Sequence, residues 1–125
     1  MPTPALNHIV LTVSDVERSR AFYVDLLGFD VTLMKEGGFY FSNGSVLTFV
    51  FASPKPVPND RFSEFRIGLD HLSFAAASRA ELDAIAAKLI AAGVDTKGVE
   101  QFAPTGNYYV AFRDPDNIQL EYWLE

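Results

Sequence analysis

The chain has 125 residues, 49% of them hydrophobic, with 11 Phe, 5 Tyr and 1 Trp; that is the size of one domain and too apolar for a disordered segment. Ten Lys and Arg against sixteen Asp and Glu give a formal charge of -6, which excludes the basic footprint of a nucleic-acid or anionic-membrane binder. There is no cysteine and there are only two histidines, so any metal must be held by imidazole and carboxylate. No apolar run reaches membrane-spanning length, and Met1-Pro-Thr-Pro-Ala lacks the basic segment and apolar core of a secretory signal, so a cytoplasmic location is expected.

Taken in order, the elements repeat. Leu6 to Val13 predicts a strand with an amide residue and then His8 at its start. Ser14-x-x-Glu17 follows as a capping box, and Val16, Phe22, Tyr23, Leu26 and Leu27 form the apolar stripe of a helix that stops at Gly28. Strands are predicted at 31–35, 39–42 and 45–52, with Gly37-Gly38 and Asn43-Gly44 as hairpin signals. Residues 53–67, with Pro54, Pro56 and Pro58, read as a connector. The pattern then starts again: Leu69 to Ala76 carries Asp70-His71 at its start, Ser78-x-x-Glu81 is a second capping box, and Leu82, Ile85, Ala86, Leu89 and Ile90 lead to Gly93. Three more strands follow at 97–102, 107–113 and 118–124, the last two separated by Asp114-Pro-Asp-Asn117. Each half reads β-α-β-β-β, and His8 and His71 lie 63 positions apart. The expected fold class is α+β: two tandem modules, 1–52 and 68–125, in a single domain, forming a curved mixed sheet around a cleft with the helices outside.

Strand alternation sorts the side chains by face. Ile9, Leu11 and Val13 share one side of the first strand and His8, Val10 and Thr12 the other; Leu72 and Phe74 oppose His71, Ser73 and Ala75; Leu120, Tyr122 and Leu124 oppose Gln119, Glu121 and Trp123. His8, His71 and Glu121 all fall on the non-core side, so three strands can bring them together. Two imidazoles and a carboxylate suit Fe(II), Mn(II), Ni(II), Co(II) or Zn(II) with positions left open for water or substrate. Taken singly, each also fits a plainer role, a strand-start His bonded to a carbonyl or an exposed strand Glu.

The run Asn7-His8-Ile-Val-Leu-Thr-Val, with Ser19-Arg20-Ala-Phe-Tyr23, Leu26-Leu-Gly-Phe29, Leu69-Asp-His71 and Asp114-Pro-Asp-Asn-Ile-Gln-Leu-Glu121, resembles the vicinal oxygen chelate superfamily, which includes glyoxalase I, extradiol dioxygenases and bleomycin-resistance proteins. The resemblance covers nearly the whole chain. It implies paired modules around a cleft, one divalent metal ion, ligands at His8, His71 and Glu121 with a fourth position in residues 45–52, and commonly a homodimer, sometimes with modules exchanged between chains. Aligning the last strands of the two halves places Leu47 against Leu120, so Thr48 is expected opposite Glu121 where the four-ligand glyoxalase pattern has Glu. A neutral hydroxyl is the poorer ligand, which disfavours a glyoxalase I site. With both His spent as ligands, catechol ring cleavage is disfavoured too, and the absence of Lys or Arg after Glu121 weighs against fosfomycin modification.

Two functions are expected from these features. The first is a metal-dependent enzyme acting on a small oxygen-bearing metabolite or xenobiotic chelated by the ion, with Tyr109 as proton donor or acceptor and Thr48, Gln119, Trp123, Phe62, Phe65 and Arg66 in contact with substrate. Arg61 joins Arg66 as a cation able to steer an anion. The second is a non-catalytic protein that sequesters a planar antibiotic on Phe39 or Tyr40, Phe62, Phe65, Phe102, Tyr109 and Trp123.

Overall fold

The computed structural model describes residues 2–125. The chain divides into two compact units, Met1–Asn59 and Asp60–Glu125, and among the described residues each carries one four-stranded mixed sheet and one helical segment. No described helix is long and apolar enough to cross a membrane.

In unit one, β1 (His8–Val13) pairs in parallel with β4 (Val46–Ala52), and β2 (Val31–Leu33), β3 (Phe39–Asn43) and β4 form an antiparallel ladder, giving the order β1-β4-β3-β2. A parallel neighbour needs a crossover, and α1 (Val16–Arg20), continued by a π-helical turn over Ala21–Leu26, supplies it. The expected capping box is corrected here: the cap is Asp15, whose carboxylate accepts the Arg18 N–H at 3.0 Å, while the Ser14 hydroxyl accepts from the Arg18 guanidinium. The helix starts one residue later than Ser14 would allow. Gly28 ends it with φ +76, the left-handed conformation expected there, and the Phe29 N–H reaches back to the Tyr23 carbonyl.

The unit-one core is a knot of rings. Tyr23 is wholly buried and its ring lies 5.8 Å from that of Phe41, 5.9 Å from Phe29 and 6.2 Å from Phe39. Leu11, Val13 and Val50 are buried with them. The face of the sheet bearing these residues is therefore the helix side, and the opposite, open face carries His8, Val10, Tyr40, Phe49 and Phe51.

Unit two repeats the plan. The strand β5 (Leu72–Ala75) is parallel to β8 (Gln119–Leu124), with β7 (Asn107–Arg113) and β6 (Thr96–Phe102) beyond it, giving the order β5-β8-β7-β6. Here the serine cap is as expected: Ser78 accepts the Glu81 N–H at 3.1 Å, and Glu81 accepts the Ala77 N–H in return. The helix α2 (Arg79–Ala91) buries Leu82, Ala86 and Leu89 against β6, β7 and β8, whereas Ile90, counted in the stripe from sequence, is 59% exposed. Gly93 closes α2 with φ +73. The sheet contributes Val110, Phe112, Leu120 and Tyr122 to this core.

The turn from β7 to β8 is built by its own side chains. Asp114 is buried and its Oδ1 accepts the N–H groups of Asp116 at 2.9 Å and Ile118 at 2.8 Å; Asn117 adopts φ +69, as its place in the turn predicts. Asn117 also fastens the connector, donating to the Phe62 carbonyl at 3.0 Å and accepting from Arg61 at 3.0 Å.

Candidate functional site

In unit two the parallel register Ser73↔Glu121 sets His71, the residue just before β5, beside the β8 carboxylate. His71 Nε2 stands 3.5 Å from Glu121 Oε1. The other ring nitrogen is occupied: His71 Nδ1 is 2.6 Å from Asp70 Oδ1, and the Gln119 amide donates to the same oxygen at 3.1 Å. An ionised carboxylate only accepts, so a neutral His71 carries its proton on Nδ1 and presents a bare lone pair from Nε2. Two acceptors then face each other, at a separation longer than a strong hydrogen bond. Such a pair fits a shared cation, and the tied Nδ1 is the outer support that ligating imidazoles ordinarily have.

Around this pair, alternation gathers the rest of the open face. Ala111 lies opposite Glu121, Tyr109 opposite Trp123, and Arg113 opposite Gln119. Trp123 is flanked by Tyr109 at 5.9 Å and Phe102 at 5.7 Å. Burial, and after it the nearby Glu100 carboxylate, pushes the Tyr109 hydroxyl above its ordinary value; it is a proton donor at neutral pH rather than a base. Arg113 makes a close ion pair with Glu64 of the connector, both side chains largely shielded.

In unit one His8 has the same anchor, with Nδ1 2.7 Å from the Asn7 side-chain oxygen. Its neighbour on β4 differs. The parallel register Val10↔Phe49 corresponds to Ser73↔Glu121, and the antiparallel register Tyr40↔Phe49 corresponds to Ala111↔Glu121. Phe49, and not Thr48, is thus the counterpart of Glu121, and its ring meets His8 edge-on at 5.7 Å. This corrects the placement of Thr48 among the substrate contacts. Thr48 is 2% exposed on the helix side, where its hydroxyl donates to Asn43 at 3.0 Å.

Of the residues singled out from sequence, His71, Gln119, Glu121, Tyr109 and Trp123 share one face of unit two, and His8 opens β1 of unit one. The connector residues behave otherwise. Phe65 is 91% exposed, Arg66 pairs with Asp60 at 3.9 Å, and the Phe62 N–H is taken by the Asp116 carbonyl. Asp70, Asn7 and Phe49 were not singled out. The first two had a signal, an acceptor side chain directly before each histidine.

Fold and site together define a two-module α+β protein with a histidine at the head of each module. The sequence profile of the Glyoxalase/Bleomycin resistance protein/Dioxygenase superfamily matches residues 5–122, and the chain belongs to that family. It is 36% identical to YwkD of Bacillus subtilis (strain 168), over 94% of each chain. Among solved structures it is similar to a glyoxylase/bleomycin resistance protein/dioxygenase domain from Frankia sp. EAN1pec, with 28% identity, a TM-score of 0.82 and coverage of 98% of this chain and 93% of that one. A lactoylglutathione lyase from Agrobacterium tumefaciens is similar at 25% identity and a TM-score of 0.73, covering 99% and 96% of the two chains.

Proposed function

We propose that the protein is a divalent-metal-dependent enzyme acting on a small molecule that chelates the ion through oxygen, with His8, His71 and Glu121 as its ligands. The observation that carries this reading is the approach of His71 Nε2 to Glu121 Oε1 at 3.5 Å while Asp70 occupies the opposite ring nitrogen. The bound ion would supply Lewis acidity, stabilising charge that builds on a substrate oxygen.

The chain's own residues do the rest. Asp70, itself held by Gln119, fixes the orientation and tautomer of His71. Asn7 does the same for His8 with a neutral oxygen. The small Ala111 opposite Glu121 leaves space over the carboxylate for a ligand. Tyr109, kept protonated by burial and by Glu100, donates a hydrogen bond to a substrate oxygen, and the Trp123 ring beside it supports an apolar portion.

Metal analysis of the purified protein, with anomalous scattering at the absorption edge of the ion found, tests the assignment. The expected result is a divalent ion touching His8, His71 and Glu121, removed by EDTA and lost in His71→Ala and Glu121→Ala. Undiminished metal content in His8→Ala or Glu121→Ala overturns it. The sequestering alternative draws support from the Phe102, Trp123 and Tyr109 rings; tight binding of a planar antibiotic, unaffected by EDTA or by Glu121→Ala, selects it.

A further inference from the structure

One row of side chains crosses the whole open face of the unit-two sheet. The registers Glu100↔Tyr109, Tyr109↔Trp123 and Ala75↔Trp123 place a carboxylate, a phenol, an indole and a methyl group side by side on β6, β7, β8 and β5. Phe102, two residues along β6 from Glu100 and so on the same face, sets its ring 5.7 Å from that of Trp123 with the planes 61° apart. Tyr109 lies 5.9 Å from Trp123 at 21° and carries the indole wall on toward Glu100. The rings form a corner of two walls. It opens to solvent at Phe102, which is 42% exposed, and is uncrowded on the β5 side, where Ala75 offers only a methyl group.

Core packing does not account for this corner, because the core of unit two lies on the other side of the sheet, where Val110, Phe112, Leu120 and Tyr122 meet α2. Aromatic faces are electron-rich and attract a cation placed over them. The surrounding charge has the matching sign. Glu100 and Glu121 both act on the Tyr109 hydroxyl by charge, after burial as the larger cause of its raised pKa. Among the described residues Glu100 has no ion pair. Arg113, the cation on the same face of β7, is already taken up by Glu64.

We propose that this corner binds the head group of an organic ammonium ion, with Trp123 and Phe102 as its walls, Tyr109 extending the first and Glu100 as the counter-ion. An alkylated ammonium suits such a corner because its charge is carried on an apolar surface, which meets the rings while the carboxylate balances the charge. The inference shares Trp123 and Tyr109 with the metal reading but not its ion, so either can fail alone.

Trp123 is the single tryptophan of the chain, and its fluorescence reports on the corner directly. The protein is titrated at constant ionic strength with choline and with dimethylbutanol, the neutral isostere that has a tert-butyl group in place of trimethylammonium. Trp123 emission follows the binding, and the alcohol is also measured by its competition against choline. Choline is expected to saturate the signal with an affinity about ten-fold above that of the alcohol. Glu100→Gln lowers choline affinity by about three-fold or more and leaves the alcohol unchanged, while Glu100→Asp, which keeps the charge, retains the preference. Phe102→Leu, which removes one wall and keeps the reporter, weakens choline by a similar factor. No saturable response to choline, equal affinities for the two probes, or choline binding untouched by both Glu100→Gln and Phe102→Leu overturns the proposal. In each of those cases divalent-metal uptake that is lost in Glu121→Ala leaves the metal reading standing.

Discussion

Unit one and unit two order four strands identically, β1-β4-β3-β2 and β5-β8-β7-β6, yet they spend their rings differently. In unit one aromatic side chains fill both faces of the sheet: Tyr23, Phe39 and Phe41 under the helix, and Tyr40, Phe49 and Phe51 on the open side. In unit two the helix side relies on aliphatic Leu82, Leu89, Val110 and Leu120 beside Phe112 and Tyr122, and the open side sets Asp70, His71, Gln119 and Glu121 beside the Tyr109, Trp123 and Phe102 rings. The shared backbone explains the fold, and the contrast explains why a repeated module need not give a repeated site. One copy retains ionisable groups; the other supplies a histidine set in apolar surroundings.

The sharpest way to break the contrast is through the cores. Tyr23→Ala empties the centre of the unit-one ring cluster and is expected to destabilise the protein by about 3–5 kcal/mol, read as a lower denaturation midpoint in urea. A loss below about 1 kcal/mol would mean that the rings do not act as one packed body.

A smaller effect tests the two histidine anchors. On the metal-ligating role proposed for His71, Asp70→Ala is expected to weaken divalent-metal affinity by about 10–100-fold, the usual cost of removing an outer partner of a ligating imidazole. Asn7→Ala, which removes a neutral acceptor, should cost less. Chelator-competition titrations measure both, and equal losses would show that the charge on Asp70 adds nothing beyond orientation.

The smallest expected effect lies in unit two at high pH. Burial, and then Glu81, raises the Tyr122 hydroxyl from 10.0 to about 12. The folded protein therefore keeps a proton that the unfolded chain releases. The stabilisation is complete below pH 10 and drains away as pH rises toward about 12, amounting to roughly 2 kcal/mol over that interval. Urea melts across the range should show this slope, and Tyr122→Phe should flatten it.

Much of this was legible in the sequence. Glycine at 28 and 93, the hairpin signals and strict alternation along β1 and β8 gave the two β-α-β-β-β modules and the open-face set of His8, His71, Gln119, Glu121 and Trp123, because backbone conformation and pleat are local properties. Thr48 was harder. A polar residue between large apolar ones reads as facing outward, and in a strand that choice inverts every neighbour. Thr48 is nevertheless buried, because Asn43, five residues away across the hairpin, satisfies its hydroxyl; a hydrogen bond made across a turn leaves no mark on the periodicity. The same holds for the connector, where Phe65 and Arg66 were expected at the site for their chemistry, while the fastening of residues 61 and 62 to Asn117 depends on tertiary contacts.

The π-helical turn at Ala21–Leu26 gives unit one one residue of slack in its length. The Leu27 N–H bonds the carbonyl of Phe22, five residues back, so the turn holds a residue more than an α-helical path would. Removing a solvent-facing residue such as Asp25 would convert the turn to α-helical bonding and leave the segments on either side close to their present orientation, because five residues of the π turn take the place of four. Tyr23 would keep its place where Phe29, Phe39 and Phe41 meet. A deletion inside α2, which is α-helical throughout, has no such slack and would rotate its two parts by about 100° against each other, so related chains should change length at the π turn more readily than in α2.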